Sequence, residues 1–247
     1  MLVLLPPSER KSDGGAGAPL ALDSLAMPQL GAVREQLLDE LIRLAADPDR
    51  ARVALKLGAG AHAEIVRNAA LRTSPTRPAL DRYCGVLYDA LDAPSFTTGQ
   101  RAKAHARLAI GSALFGAVRA GDSIPAYRLS GNTVLPSVGS LSALWRKDLT
   151  AALHAETAGD LVVDLRSGIY RQLGRLPDAV TVNVLTEAPD GARTVLSHFN
   201  KRYKGLLARS LVLTRAEPVD VRGVARVASR AGLRAEIVSP TELAIIV

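Results

Sequence analysis

Between residues 29 and 46 the apolar positions Leu30, Val33, Leu37, Leu41 and Leu44 recur at spacings of three and four, with Asp39, Glu40 and Arg43 between them. That period places the apolar set on one face of a helix. Pro48 restarts a helix through about residue 58, and two more are predicted between 60 and 92. These two are parted by Ser74-Pro75-Thr76-Arg77-Pro78, whose prolines forbid a continuous hydrogen-bond ladder. Residues 99–119 keep a helical pattern, yet Gly111 and Gly116 fall inside it and predict a break or a tight hairpin. A helix over 139–158 follows.

Other stretches lose the helical period. Leu2-Val3-Leu4-Leu5 reads as a buried strand, as does Leu161-Val162-Val163-Asp164-Leu165. Val180, Val182 and Val184 alternate, and Pro189-Asp190-Gly191 turns the chain into Arg193-Thr194-Val195-Leu196, a hairpin signal. Helices over 200–213 and 220–231 and strands over 234–238 and 242–247 complete the pattern. Helices dominate the first half and strands the second, which predicts a mixed α/β fold of the α+β type, in one compact domain over residues 1–247. Asp13-Gly14-Gly15-Ala16-Gly17 reads as a flexible loop, and no tandem repeat or heptad run occurs.

Composition narrows the function classes. Hydrophobic residues make up 48% of the chain and aromatics only 4%, so the core is aliphatic. The single cysteine, Cys84, permits no intramolecular disulfide and predicts a reducing, cytosolic setting. The apolar start has no basic flank and ends at Pro6-Pro7, so it reads neither as a signal peptide nor as a membrane span. His62, His105, His154 and His198 lack metal-ligand spacing, Lys11-Ser12 lacks the upstream glycines of a phosphate-binding loop, and no GxSxG element occurs. No metal, cofactor or catalytic residue is therefore expected from spacing.

The formal charge of +7 favours acidic partners, and its distribution is more informative. Arg101 to Lys147 holds seven basic residues against Asp122 alone, net +6. A second cluster, His198 to Arg209, carries Lys201, Arg202, Lys204 and Arg209 with no acid. Cations in a first helical turn oppose the helix dipole, which an anion bound there would offset; a solvated basic face is the alternative. Asp164, Arg166, Ser167 and Tyr170 gather at a strand's carboxyl end, where α/β sheets expose ligand-binding groups, or else an Asp–Arg pair fixes a turn there. Tyr83 and Tyr88 are five apart and need not share a helix face; they read as core residues with hydroxyls at the rim.

Five dispersed segments together resemble the YaaA family of peroxide-stress proteins, in particular its actinobacterial branch. They are residues 4–12 (LLPPSERKS), 82–91 (RYCGVLYDAL), 124–129 (IPAYRL), 164–167 (DLRS), and 197–201 (SHFNK) with Lys204-Gly205. The first is similar to a PPSEGKT pattern, with Arg10 and Ser12 in place of glycine and threonine and Lys11 kept. The resemblance implies a mixed α/β fold with a basic cleft, a cytosolic role in limiting damage from peroxide and iron, and DNA binding through a helix-hairpin-helix element. That element's SGLYG pattern falls on Ser112-Ala113-Leu114-Phe115-Gly116, with Ala113 in place of its first glycine.

Two functions follow as expectations. In one, Lys103, Arg107 and Arg119 contact DNA phosphates with little sequence preference while Gly111, Ser112 and Gly116 permit close approach. In the other, a small phosphorylated or nucleotide-like ligand occupies a cleft built from Lys11, Tyr83, Arg128, Asp164, Arg166, Tyr170, His198, Lys201, Lys204 and Arg209. There Lys11, Arg166 and Lys204 would clamp the anion, with Tyr170 or His198 available for proton transfer.

Overall fold

The computed structural model describes residues 1–58, 60–196 and 200–247. The chain opens with β1 (Leu2–Leu5), then helices α1 (Gly31–Ala45), α2 (Pro48–Ala54) and α3 (His62–Ala69). A two-residue β2 (Arg77–Pro78) leads to the short α4 (Ala79–Arg82), α5 (Val86–Leu91) and α6 (Thr98–Arg107). Next come β3 (Leu108–Ser112), β4 (Gly116–Arg119) and the short β5 (Ser123–Ile124), β6 (Val134–Leu135) and β7 (Gly139–Ser140). Then follow α7 (Leu141–Glu156), β8 (Val162–Asp164), α8 (Gly168–Leu173), β9 (Val180–Glu187), β10 (Arg193–Val195), α9 (Asn200–Leu213), α10 (Val221–Arg230), β11 (Arg234–Ser239) and β12 (Glu242–Ile246). Among the described residues, no helix is long and apolar enough to cross a membrane.

Eight strands form one mixed sheet in the order β11-β12-β9-β8-β1-β3-β4, with β10 also paired to β9. The neighbours from β12 to β3 run parallel, whereas β4, β10 and β11 join antiparallel. β1 is buried along its whole length, which is why it reads as an unbroken apolar run. The first half is helix-rich and the second richer in strand, as expected, and β1, β3 and β4 from the first half supply the centre and one edge of the sheet.

α9 packs on α6 and on α10, all three pack on the sheet, and α7 packs on β4. Local signals account for several helix starts. Thr97 and Gln100 form a reciprocal capping box at α6, and Asp220 accepts from the Gly223 amide at 2.7 Å at the start of α10.

Residues 108–119 are strand rather than helix, with the tight hairpin that Gly111 and Gly116 predict. They form the β3–β4 hairpin, and all but Arg119 are buried. A run whose one polar position before Arg119 is Ser112 carries no polar face by which periodicity can separate helix from strand, so burial on both sides of the sheet decided it. The helix-hairpin-helix expected at Ser112–Gly116 is thus replaced by a tight strand-to-strand turn. Gly116 has φ +73°, and a Cβ there would lie 2.9 Å from the Trp145 ring. The glycine loop is also held: Gly17 and Thr76 exchange backbone hydrogen bonds of 3.0 and 3.3 Å.

β1 lies between β3 and β8, and the chain leaves β1 toward β3 but leaves β8 toward β9 on the opposite side. The crevice at the carboxyl ends of β1 and β8 is thus a topological switch point, the place where open parallel sheets present ligand sites.

Candidate functional site

Beyond Leu5, the prolines Pro6 and Pro7 carry the chain out of the sheet. Lys11 then pairs with Tyr83 as an isolated bridge. Its side chain is buried, and the amine donates to the carbonyls of Ser8 at 2.9 Å and Glu9 at 3.3 Å. The Tyr127 ring centroid lies 4.1 Å from this nitrogen and that of Tyr83 5.4 Å. Burial pushes the Lys11 amine down to about 7, opposed by Glu9 and assisted by Arg128. Arg128 itself pairs with Glu9 at 3.1 Å.

The tyrosines around Lys11 form a connected buried group. The Tyr83 hydroxyl lies 2.8 Å from that of Tyr127, which lies 2.7 Å from Ser112 Oγ; Ser112 Oγ accepts from the Phe115 amide. Burial raises Tyr83 to about 12, against the pull of its bonds to Tyr127 and Ser112. Tyr88 is raised well above the ordinary range by burial, and its hydroxyl donates to the Pro6 carbonyl at 2.8 Å. Tyr83 precedes α5 rather than sharing a helix with Tyr88, so the two rings stack at 5.6 Å. These phenols stay protonated at neutral pH.

At the exit of β8, Asp164 and Arg166 form a fully buried pair at 2.8 Å. Arg166 also donates to the carbonyls of Gly174 and Tyr170, and Asp164 accepts from the Arg166 amide. Every good direction on this guanidinium faces protein, so the pair fixes the turn, and the expected anion clamp at Arg166 is corrected. The Tyr170 hydroxyl accepts from the Gly131 amide at 3.1 Å, and burial raises its pKa, so the phenol stays protonated near neutrality.

α9 brings the second basic cluster to the same crevice. Lys204 donates to the Leu165 carbonyl at 3.1 Å, and burial, helped by Arg171 and opposed by Asp164, lowers its amine to about 8. Lys201, a turn earlier, is exposed and borders a cavity of about 310 Å³ whose lining includes Pro6, Pro7, Arg10, Tyr88 and Asp89. Gly205 lets α9 approach α5, since a Cβ there would stand 2.3 Å from the Leu87 carbonyl oxygen. Arg209 is structural: it donates to the carbonyls of Leu91 and Asp92 and to Ser95 Oγ, over the Phe96 ring. His198 lies outside the described residues. The β9–β10 hairpin bounds the crevice on the β8 side, because β10 takes the edge of β9 beyond its last pairing with β8.

The residues expected to contact DNA are engaged within the protein. Lys103 and Arg107 donate to the Thr214 carbonyl at 3.1 and 3.2 Å, Arg107 also to that of Leu211, and Arg107 pairs with Glu217. These cations neutralise the carboxyl end of α9. Arg119 donates to the Ala106 carbonyl at 2.7 Å and lies 3.5 Å from Glu156. Gly111 faces the Arg166 side chain inside the sheet, and Ser112 is buried. The structure thus brings together Lys11, Tyr83, Lys201 and Lys204 around one end of the sheet, and assigns Arg107, Arg166 and Arg209 to holding helices and turns. Sequence reasoning missed Arg10, Tyr127 and Asp89. Each lies within a segment that carried the family resemblance, which was the available signal.

Comparison with known proteins bears on the whole chain. The family model for peroxide stress protein YaaA matches residues 1–234. A UPF0246 protein of Corynebacterium efficiens is 50% identical over 241 residues, covering 96% of this chain and 95% of its own. Similar relatives, also named UPF0246, occur in Corynebacterium glutamicum, at 48% identity with the same coverage, and in Streptomyces coelicolor, at 46% with 88% of this chain and 85% of the relative covered.

Proposed function

Because the chain belongs to the YaaA peroxide-stress family, we propose that it serves peroxide defence by holding a small phosphorylated anion in the crevice between the carboxyl ends of β1 and β8. One observation carries this reading. Residues 6–11, 83–89, 164–167 and 201–205 are far apart in sequence but adjoin at the switch point, beside a cavity of about 310 Å³. That volume suits a small molecule better than a duplex.

Lys204 supports an anion rather than a cation as occupant. It is partly buried with a single carbonyl as its hydrogen-bond partner among the described residues, and an arriving phosphate would restore its charge. Binding at pH 8 should therefore draw protons from solvent. Calorimetry of phosphate or pyrophosphate binding in buffers of different ionisation enthalpy measures this, and binding without proton uptake counts against Lys204 as a ligand. Loss of peroxide survival in cells carrying Lys201→Gln with Lys204→Gln tests the physiological link.

A second reading, DNA as partner, draws support from a different place. Arg222, Arg226 and Arg230 of α10 fall on one ridge at intervals of four residues, about 6 Å apart along the axis. All three are exposed, with no ion-pair partner among the described residues. Duplex binding through this ridge should weaken steeply with salt, since each phosphate contact releases counterions. Affinity indifferent to salt argues against it.

A further inference from the structure

The anion reading leaves open which phosphorylated molecules the crevice takes, and the charges around the cavity narrow the class; the step rests on that reading. Three exposed charged side chains border the cavity: Arg10 from the loop after β1, Lys201 from the first turn of α9, and Asp89 from α5. None has a side-chain hydrogen-bond or ion-pair partner among the described residues. Elsewhere charged groups are commonly matched, as Arg67 is by Asp13 and Glu64, and Arg72 by Glu35 and Asp39. Three side chains converging from three elements without pairing leave their bonding capacity to something that enters.

Two cations against one carboxylate fit a ligand with a dianionic end. A guanidinium fork with an ammonium matches the several oxygens of a phosphomonoester better than a single carboxylate does. Asp89 asks for the reverse: an ionised carboxylate only accepts hydrogen bonds, so the part of the ligand facing it must donate. Between these groups the lining of Pro6, Pro7, Val86, Leu87 and Tyr88 is largely apolar and suits the body of a small ring system.

We propose that this cavity binds a phosphomonoester bearing an amino group, the class to which amino-substituted nucleoside monophosphates belong, with Arg10 and Lys201 on the phosphate and Asp89 on the amine. Calorimetric titration of the full chain with inorganic phosphate, adenosine, adenosine monophosphate and purine riboside monophosphate, which lacks the amine, tests the assignment. Adenosine monophosphate is expected to bind at least tenfold tighter than phosphate or adenosine, and about tenfold tighter than its amine-free counterpart. Arg10→Gln and Lys201→Gln should each weaken both phosphate and adenosine monophosphate about tenfold. Asp89→Asn should erase the preference for the amine without weakening phosphate, since it removes only a like charge from the cavity. All three positions are exposed, so unchanged thermal unfolding of each variant is the control. Phosphate binding that depends on Arg10 and Lys201, with no preference for the amine and no effect of Asp89→Asn, overturns this assignment while the anion crevice stands. No binding of any probe at millimolar concentration overturns both.

Discussion

At the scale of the residue, the least expected group is Lys11, a buried amine whose hydrogen-bond partners are carbonyls and whose neighbours are aromatic faces. Its folded pKa of about 7 lies below the ordinary value of 10.5, so the unfolded chain binds more protons between those limits. Stability contributed through this group therefore rises as pH climbs from 7 toward 10.5, and its burial cost is fully present below 7. Lys11→Met should raise unfolding free energy by of order 2–4 kcal/mol at pH 6 and by much less at pH 10, as read by urea denaturation. Equal effects at both values would show that Lys11 is not a desolvated amine. The Asp164–Arg166 pair behaves oppositely. Arg166→Met strands a buried carboxylate and should cost about 3 kcal/mol at neutral pH, whereas replacing both partners by apolar residues of similar volume should cost less. Sequence distinguished neither case: both residues stood out as polar groups next to strand ends, and only the count of nearby acceptors separates a working charge from a structural one.

Elements show the same division. Most were legible, since α1, α7, α9 and α10 carry a clear apolar stripe or strong flanking signals and fall within a few residues of their predicted spans. The glycines marked the β3–β4 hairpin, but its strands were not legible, because Leu108–Val118 has no polar face to set a period. Gly205 illustrates what propensity alone misjudges. Inside α9, alanine would ordinarily be the better helix former by about 1 kcal/mol. Here its Cβ would meet the Leu87 carbonyl at 2.3 Å, so Gly205→Ala must push α9 away from α5. The expected outcome is a loss of about 1–3 kcal/mol in chemical denaturation, accompanied by weaker binding of adenosine monophosphate, because Lys201 and Asp89 sit on the two separated helices. A stabilised variant would refute the close packing.

For the whole molecule, the mixed α/β class was legible and the sheet order was not, because strand neighbours in this fold are distant in sequence. Nothing local in Leu2–Leu5 announces that its partners are β3 and β8; that follows only from burying both faces of a run with no polar residue. The crevice inherits the same obscurity, its parts being gathered from four widely spaced segments by the crossing of β1 between its neighbours. This placement has a consequence for synthesis on the ribosome. Val3 leaves the ribosome well before Leu108 and Val163, the residues with which it registers. At about 5–20 residues per second the strand waits roughly ten seconds or longer for its second neighbour, exposed and apolar throughout. Nascent chains stalled before residue 160 should accordingly be protease-sensitive and bound by chaperones that cover hydrophobic segments, with protection appearing only once β8 has left the exit tunnel. The segment that later supports the crevice is thus a part of the newborn chain in need of shelter.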